Sequence, residues 1–332
     1  MRRSAFLTLA AAPLFVARRA RAQSDADPAT SSKRPALRVL LGPGDASPAG
    51  NGTFAFQGRF YRGSFTRLDG GQIVNLVDLE AYVCSVVPAE MSPHWPPAAL
   101  QSQSICARTY VLQRSDPRRA YDLVPSELDQ VYRGIEGESP SATAAVSATA
   151  GRVLRYNAEF AQIAYSSCCG GHTEASSDAW SSRPIPYLGG VACTSCGDSP
   201  YFRWSSSLTL ETIAASLPAS LAAIGDLVDL RIPDRDASGR ARVFELVGRN
   251  DSVTVQGSAF RRAVGPRTLR SLLITAVQHW PDSPDIDIEG GGLGHGVGLC
   301  QWGAHGMAVA GAGAPAILAY YFPGTVVEDL ER

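Results

Sequence analysis

From Leu37 to Arg332, glycine, proline and aspartate cut the sequence into short apolar runs, and this punctuation limits what the chain can build. LRVLL, TFAFQGRFYRGSF and GQIVNLVDL are alternating or continuously apolar over a strand's length. A membrane span needs a long uninterrupted apolar stretch, and none follows residue 37. With 32 glycines and 22 prolines in 332 residues, loops are frequent. The length suits one large domain or two small ones with a substantial core.

Helical spacing enters after the first strands. In DLEAYVCSVVPAEM, residues Leu79, Tyr82, Val83, Val86 and Val87 share one stripe, and Asp78 is the N-cap. Pro88 removes a backbone donor, so it kinks or ends this helix. PPAALQSQSICARTYVLQRS predicts a second helix with Pro96 and Pro97 near its first turn. The two form a helical hairpin joined by AEMSPHW. Strand character returns in GRVLRYNAEFAQIAYSS, with a turn at Asn157, and in the hairpins between Leu227 and Val255. GSAFRRAV is a short helix. The C-terminal part is a glycine-rich loop, then helical LCQWGAHGMAVAG, then PAILAYYFPGTVV. The sum is an α+β chain of mixed sheet and hairpins around a helical hairpin, with one main domain at 37–332.

The first residues read as an export signal over 1–22. Arg2-Arg3 precede an apolar run from Phe6 to Val16 that is too short to span a bilayer, and Ala20-Arg21-Ala22 is a small-x-small cleavage pattern. The paired arginines point to the twin-arginine route. Residues 23–36 are small and polar and read as a linker. Export places the protein in the periplasm or cell envelope. Net charge is −1, so no basic field suggests nucleic acid as partner.

Seven cysteines stand at 84, 106, 168, 169, 193, 196 and 300. In an exported chain disulfides are the default, and one of Cys168 or Cys169 is expected to pair with Cys193 or Cys196. Cys84 and Cys106, on the two arms of the helical hairpin, are expected to lie close. Cys300 is then a buried unpaired thiol. The residue types of Cys168, Cys169, His172, Cys193 and Cys196, with the C-x-x-C of CTSC, also suit zinc. For an exported chain that reading ranks below the disulfide, and no metal or cofactor is expected.

Two other stretches carry candidate chemistry. GHGVGLCQWGAHGM, Gly294 to Met307, has five glycines but no dinucleotide register. His295 and His305 are too far apart for an i, i+4 ligand pair. The glycines let backbone approach a neighbour closely, and His295 can face a ligand. In VVPAEMSPHW, Glu90 follows an apolar stripe and precedes His94, Trp95 and Pro96. A carboxyl held against an aromatic wall is disfavoured as an anion, which is how a general acid is made.

Taken in order, VVPAEM, PPAALQSQSICARTY, DQVYRG, SSCCGGHTE, PYLGGV, FRRAVG, GHGVGLCQWGAHGMA and YYFPGT resemble the stage II sporulation protein D family, which includes the amidase enhancers. The resemblance runs over roughly residues 37 to 330. It implies a peptidoglycan lytic transglycosylase that cuts the β-1,4 bond between N-acetylmuramic acid and N-acetylglucosamine, with Glu90 as the acid. It also implies that Gln103, Arg108 and Tyr110 line or buttress the cleft, and that His172, Thr173, His295 and Gln301 belong to its sugar-binding walls. The alternative is a non-enzymatic glycan-binding enhancer of a cell-wall amidase. Partners are then glycan strands and, in the alternative, an amidase. Two departures stand out. Gln101 replaces a lysine common in the family. The histidines and cysteines that bind zinc in some members just before QVY are absent from YDLVPSELDQVY. The reading is a cell-wall role rather than a sporulation role.

Overall fold

The computed structural model describes residues 36–180, 182–218, 223–280 and 283–330. The expected signal and linker lie outside them. The chain is α+β, as the short runs require, and it divides into two compact units. The N-terminal unit takes 36–164, Ala308–Ala319 and 324–330; the central unit takes Tyr165–Met307 and Tyr320–Pro323.

The N-terminal unit opens with strands β1 (Ala36–Pro43), β2 (Ala46–Gly50), β3 (Thr53–Phe56), β4 (Arg59–Arg62), β5 (Ser64–Arg67) and β6 (Gln72–Asp78). They form two antiparallel sheets, β1-β6-β5 and β2-β3-β4. Helix α1 (Leu79–Glu90) follows without a break. The Asp78 carboxylate caps it, accepting from the backbone N–H of Glu80 at 2.9 Å and Ala81 at 3.2 Å. Leu79, Tyr82, Val83, Val86 and Val87 are all buried, so the apolar stripe faces the core as its spacing predicts. Pro88 sits inside the last turn, and α1 stops two residues later at Glu90. Helix α2 (Pro97–Arg114) starts on Pro97 and completes the hairpin. Helix α3 (Pro140–Ala148) packs on both, and the Ser141 hydroxyl donates to Pro93 O at 2.6 Å, fastening the connecting turn.

DQVYRG packs against this hairpin. The Tyr132 ring lies 4.9 Å from Tyr82 and 5.7 Å from Tyr61, and its hydroxyl donates to the buried Asn75 at 2.8 Å. Gly134 has φ +70°, and a Cβ there would strike the Phe60 carbonyl, so only glycine fits. Strands β7 (Arg152–Tyr156) and β8 (Glu159–Phe160) meet at a tight turn in which Asn157 and Ala158 both take positive φ. That is the hairpin geometry expected at Asn157.

The central unit begins with β9 (Tyr165–Ser166) and α4 (Ser176–Trp180). Then come β10 (Trp204–Thr209), α5 (Leu210–Ser216), β11 (Leu227–Arg235), β12 (Ala241–Gly248), β13 (Ser252–Gln256), α6 (Gly257–Val264), β14 (Ile274–His279) and β15 (Asp285–Gly290). Two antiparallel sheets, β10-β15-β14 and β11-β12-β13, enclose a core of Trp204, Ile213, Leu230, Phe244, Phe260 and Ile288. The Phe244 and Phe260 rings stack at 4.3 Å. The turns between β11, β12 and β13 fall on DASGR and RND, where the breakers stand in the sequence. Strand β16 (Leu299–Cys300) pairs in parallel with β9 and runs into α7 (Gln301–Val309), followed by α8 (Ala314–Tyr321). Strand β17 (Val326–Asp329) returns to the N-terminal unit and pairs with β7.

Arg108 holds the hairpin from inside. Its side chain has no exposed surface, and its Nε and Nη2 donate to the two Glu80 oxygens at 2.9 and 2.6 Å. Nη1 donates to Arg152 O at 2.9 Å, and Glu80 also accepts from Gly151 N at 3.0 Å. One ion pair thereby ties α1, α2 and the start of β7. Removing one partner strands a buried charge, so Glu80→Ala is expected to cost about 3–5 kcal/mol. A urea-unfolding midpoint close to that of the unmodified protein would show that the pair contributes little.

Candidate functional site

Glu90 is the last residue of α1 and is half-buried. Its position is fixed from both sides. The following residue, Met91, is buried and donates its N–H to Val87 O at 2.9 Å, and the turn closes through Trp95 N to Ser92 O at 3.1 Å. Tyr82 and Tyr110 face the same region. Burial pushes both phenols up, and the charges of Asp129 and Glu90 add to the rise in each. The Tyr82 hydroxyl is buried and has no hydrogen-bond partner. Tyr110, half-buried, donates to Asp129 Oδ1 at 3.1 Å under the guanidinium of Arg114, 4.9 Å from the ring centroid.

Asp129 is the second carboxylate of this neighbourhood. It reaches the tyrosines from a separate loop, so adjacency to Glu90 along the chain does not reveal it. Its lone pairs are committed to Tyr110 Oη, Arg114 Nε at 3.2 Å and Val124 N at 2.9 Å. A carboxylate held this way positions its partners rather than activating a water molecule. The signal for it was its place at the head of DQVYRG.

Gln103 and Arg108 are fully buried on α2. The Arg108 guanidinium is taken up by Glu80 and the Arg152 carbonyl. Tyr110 is the member of QSICARTY with partial exposure nearest the acid's influence.

The remaining expected residues lie in the central unit, where segments 172–174 and 295–297 run side by side. Glu174 N donates to Gly296 O at 2.9 Å. His172 is half-buried, with Nδ1 donating to Thr173 O at 2.7 Å. Thr173 is buried, and its hydroxyl accepts from Val191 N at 2.7 Å. His295 accepts from Val297 N at Nδ1, at 3.0 Å, so its proton sits on Nε2. Burial pushes His295 down to about 4, so it is a neutral ring, set 5.5 Å from Trp180. Gln301 starts α7 and is 5% exposed.

Arg240, which sits in a stretch read only as a turn, organises this wall. It is 1% exposed and donates to Cys169 O at 2.7 Å, His172 O at 2.9 Å and Ser238 Oγ at 2.9 Å. Its Nε lies 3.5 Å from Glu174. A Cβ at Gly296, φ +81°, would collide with the guanidinium, which accounts for a glycine there.

The cysteines depart from expectation. No disulfide joins any of the seven among the described residues. Cys169 does approach Cys196, at 3.7 Å between sulfurs, but without a bond. Cys300 is buried and unpaired as expected, but the others are unpaired too, and its sulfur lies with those of Cys169, Cys193 and Cys196, all within 4.8 Å of one another.

Burial raises the Glu174 carboxyl to about 8, against the pull of Arg240 and with Asp236 and Asp178 adding to the rise. A carboxyl raised on folding holds its proton more tightly in the native state. Its contribution to stability is complete below the ordinary carboxylate range and is lost as pH climbs through about 8. Thermal unfolding across that interval is expected to show a falling midpoint for the native chain and a flatter profile for Glu174→Gln. Parallel profiles would mean that Glu174 does not titrate there.

Comparison with known proteins agrees with this architecture. A model described as Stage II sporulation protein matches residues 68–156, and one described as Domain of unknown function (DUF8618) matches 194–298. An uncharacterized protein of Brachyspira hyodysenteriae is 32% identical over 285 residues, covering 84% of this chain and 75% of the relative. Stage II sporulation protein D of Bacillus subtilis (strain 168) is 27% identical over 281 residues, covering 78% of this chain and 77% of the relative. The Amidase enhancer of the same organism is 29% identical over 291 residues; the match covers 73% of this chain and only 39% of that longer protein. The hairpin that carries Glu90, the DQVYRG loop and the glycine-rich segment thus stand in a chain that belongs to the stage II sporulation protein D and amidase enhancer family.

Proposed function

We propose that this chain is an exported peptidoglycan lytic transglycosylase, with residues 37–332 as its catalytic region and Glu90 as its acid and base. The observation that carries the reading is the setting of Glu90. It is a partly exposed carboxyl at the end of a capped helix, beside two tyrosines, with the neighbouring Asp129 tied up in three contacts. A single acid and base suits a reaction that needs no activated water. The Glu90 carboxyl protonates the leaving N-acetylglucosamine oxygen as the muramic acid gains oxocarbenium character. Its carboxylate then takes the proton of that sugar's 6-hydroxyl as the oxygen closes on the anomeric carbon. In the N-terminal unit half-buried Tyr110 is the expected sugar contact, with buried Gln103 and Arg108 in support; in the central unit half-buried His172 is the expected contact, beside Thr173, His295 and Gln301. The substrate is glycan strand in the cell envelope, reached through an export signal at 1–22.

Glu90→Gln is isosteric and cannot deliver a proton. It is expected to keep the fold and glycan binding and to lower cleavage at least ~10²–10⁴-fold. Mass spectrometry of products from purified strands should find 1,6-anhydro ends, lighter by one water and resistant to borohydride. Ordinary reducing ends would point to hydrolysis and overturn the mechanism.

The similarity to a protein named Amidase enhancer favours one second reading, a glycan-binding module that stimulates a separate amidase. In that case strands stay intact with the purified chain alone, and an added amidase works faster with native and Glu90→Gln protein alike.

A further inference from the structure

We propose that Cys169, Cys193, Cys196 and Cys300 form a tetrathiolate site for one structural zinc ion. The spacing of the sulfurs decides between the two uses of four clustered cysteines. Zinc bonds to sulfur are about 2.3 Å long and tetrahedral, which sets neighbouring sulfurs about 3.8 Å apart. Cys169 and Cys196 stand at 3.7 Å, and no pair in the group exceeds 4.8 Å. A disulfide needs sulfurs at about 2.05 Å and joins them two by two; it has no use for a fourfold cluster.

The ligands come from three segments. Cys193 and Cys196 form a C-x-x-C knuckle. Cys169 follows from the loop after β9, and Cys300 ends β16. All four are buried, and four protein sulfurs would fill the positions of a tetrahedral ion, as in a structural rather than a catalytic site. The surroundings supply donors to sulfur. Cys300 Sγ accepts from Cys169 N at 3.2 Å and Gly303 N at 3.3 Å, and the Tyr321 hydroxyl lies 3.1 Å from Cys193 Sγ. Such outer hydrogen bonds orient and stabilise thiolate ligands. Four thiolates on a dication leave a net charge of −2, which the Arg240 guanidinium, bonded to the Cys169 carbonyl, offsets in part.

Helix α7 is shaped to lie on the knuckle. A Cβ at Gly303 would come within 2.7 Å of Cys193 Sγ and strike Tyr321 Oη, and one at Gly306 would strike Ser195 O. Two glycines one helical turn apart thus bring bare backbone onto the site. Cys168 borders the group, with its thiol in contact with those of Cys196 and Cys300, but it is not one of the four sulfurs that all lie within 4.8 Å of one another.

The inference is independent of glycan cleavage, and its test does not read activity. Full-length chain purified without chelator is expected to carry about one zinc per molecule by elemental analysis. Exchange with cobalt is expected to give the intense visible and sulfur-to-metal bands of a tetrathiolate. Cys196→Ser should lose the metal, whereas Cys168→Ser and Cys84→Ser should retain it. Since Cys196→Ser could fail to fold, the cobalt spectrum of the unmodified chain is the primary readout. Disulfides mapped among the four cysteines in metal-free folded protein would overturn the proposal. So would native iron in place of zinc, a cobalt spectrum lacking sulfur character, or full zinc content in folded Cys196→Ser.

Discussion

A guanidinium sealed from water must have its charge matched and its donors accepted, and each of the two units is arranged around one such group. Arg108 satisfies this requirement with both oxygens of Glu80 and the carbonyl of Arg152. Arg240 places its terminal nitrogens on two carbonyls and a hydroxyl, while its Nε, 3.5 Å from Glu174, makes no hydrogen bond. Neither pairing is local in sequence. Each therefore fixes distant segments relative to one another with a directional fork that an ammonium could not reproduce. The cost of burying the charge is recovered only when every acceptor is in place, which makes these hubs all-or-none elements of the fold.

The setting of Glu90 follows from the first hub. A residue at a helix end is usually the part that frays, and the acid role proposed for Glu90 requires a carboxyl that is rigid. Here the last turn contains Pro88, the next residue is buried, and α3 fastens the turn beyond through Ser141. The ion pair below keeps α1 and α2 from sliding. Rigidity at the terminus is thus supplied by tertiary contacts rather than by helical hydrogen bonding.

Much of the fold was legible because it depended on short-range chemistry. Asp78 capping α1, the stripe from Leu79 to Val87, the turn at Asn157 and the helix at 257–264 are all written in neighbouring residues. What escaped was long-range. Asp129 joins Tyr110 across 19 residues, and Arg240 meets Cys169 across 71; no local pattern encodes either. The cysteines show the same limit. Their residue types admitted two chemistries, and the compartment argument chose the disulfide. The three-dimensional spacing of four sulfurs, with Cys300 drawn in from 131 residues away, is a fact that composition does not contain.

The pairing of β9 with β16 is only two residues long, Tyr165 with Leu299 and Ser166 with Cys300, yet it sets a parity. Side chains alternate between faces along a strand, so a slip by one residue would exchange the directions of Leu299 and Cys300. One sulfur would leave the cluster, and a leucine would enter it. The glycine-rich segment before β16 therefore acts as a measuring tape. Its length between Ser166's neighbour Gly294 and Cys300 is constrained, beside the need for glycine at Gly294 and Gly296. Insertions and deletions in that short span should be rarer among relatives than substitutions, a pattern of change opposite to that of an ordinary surface loop.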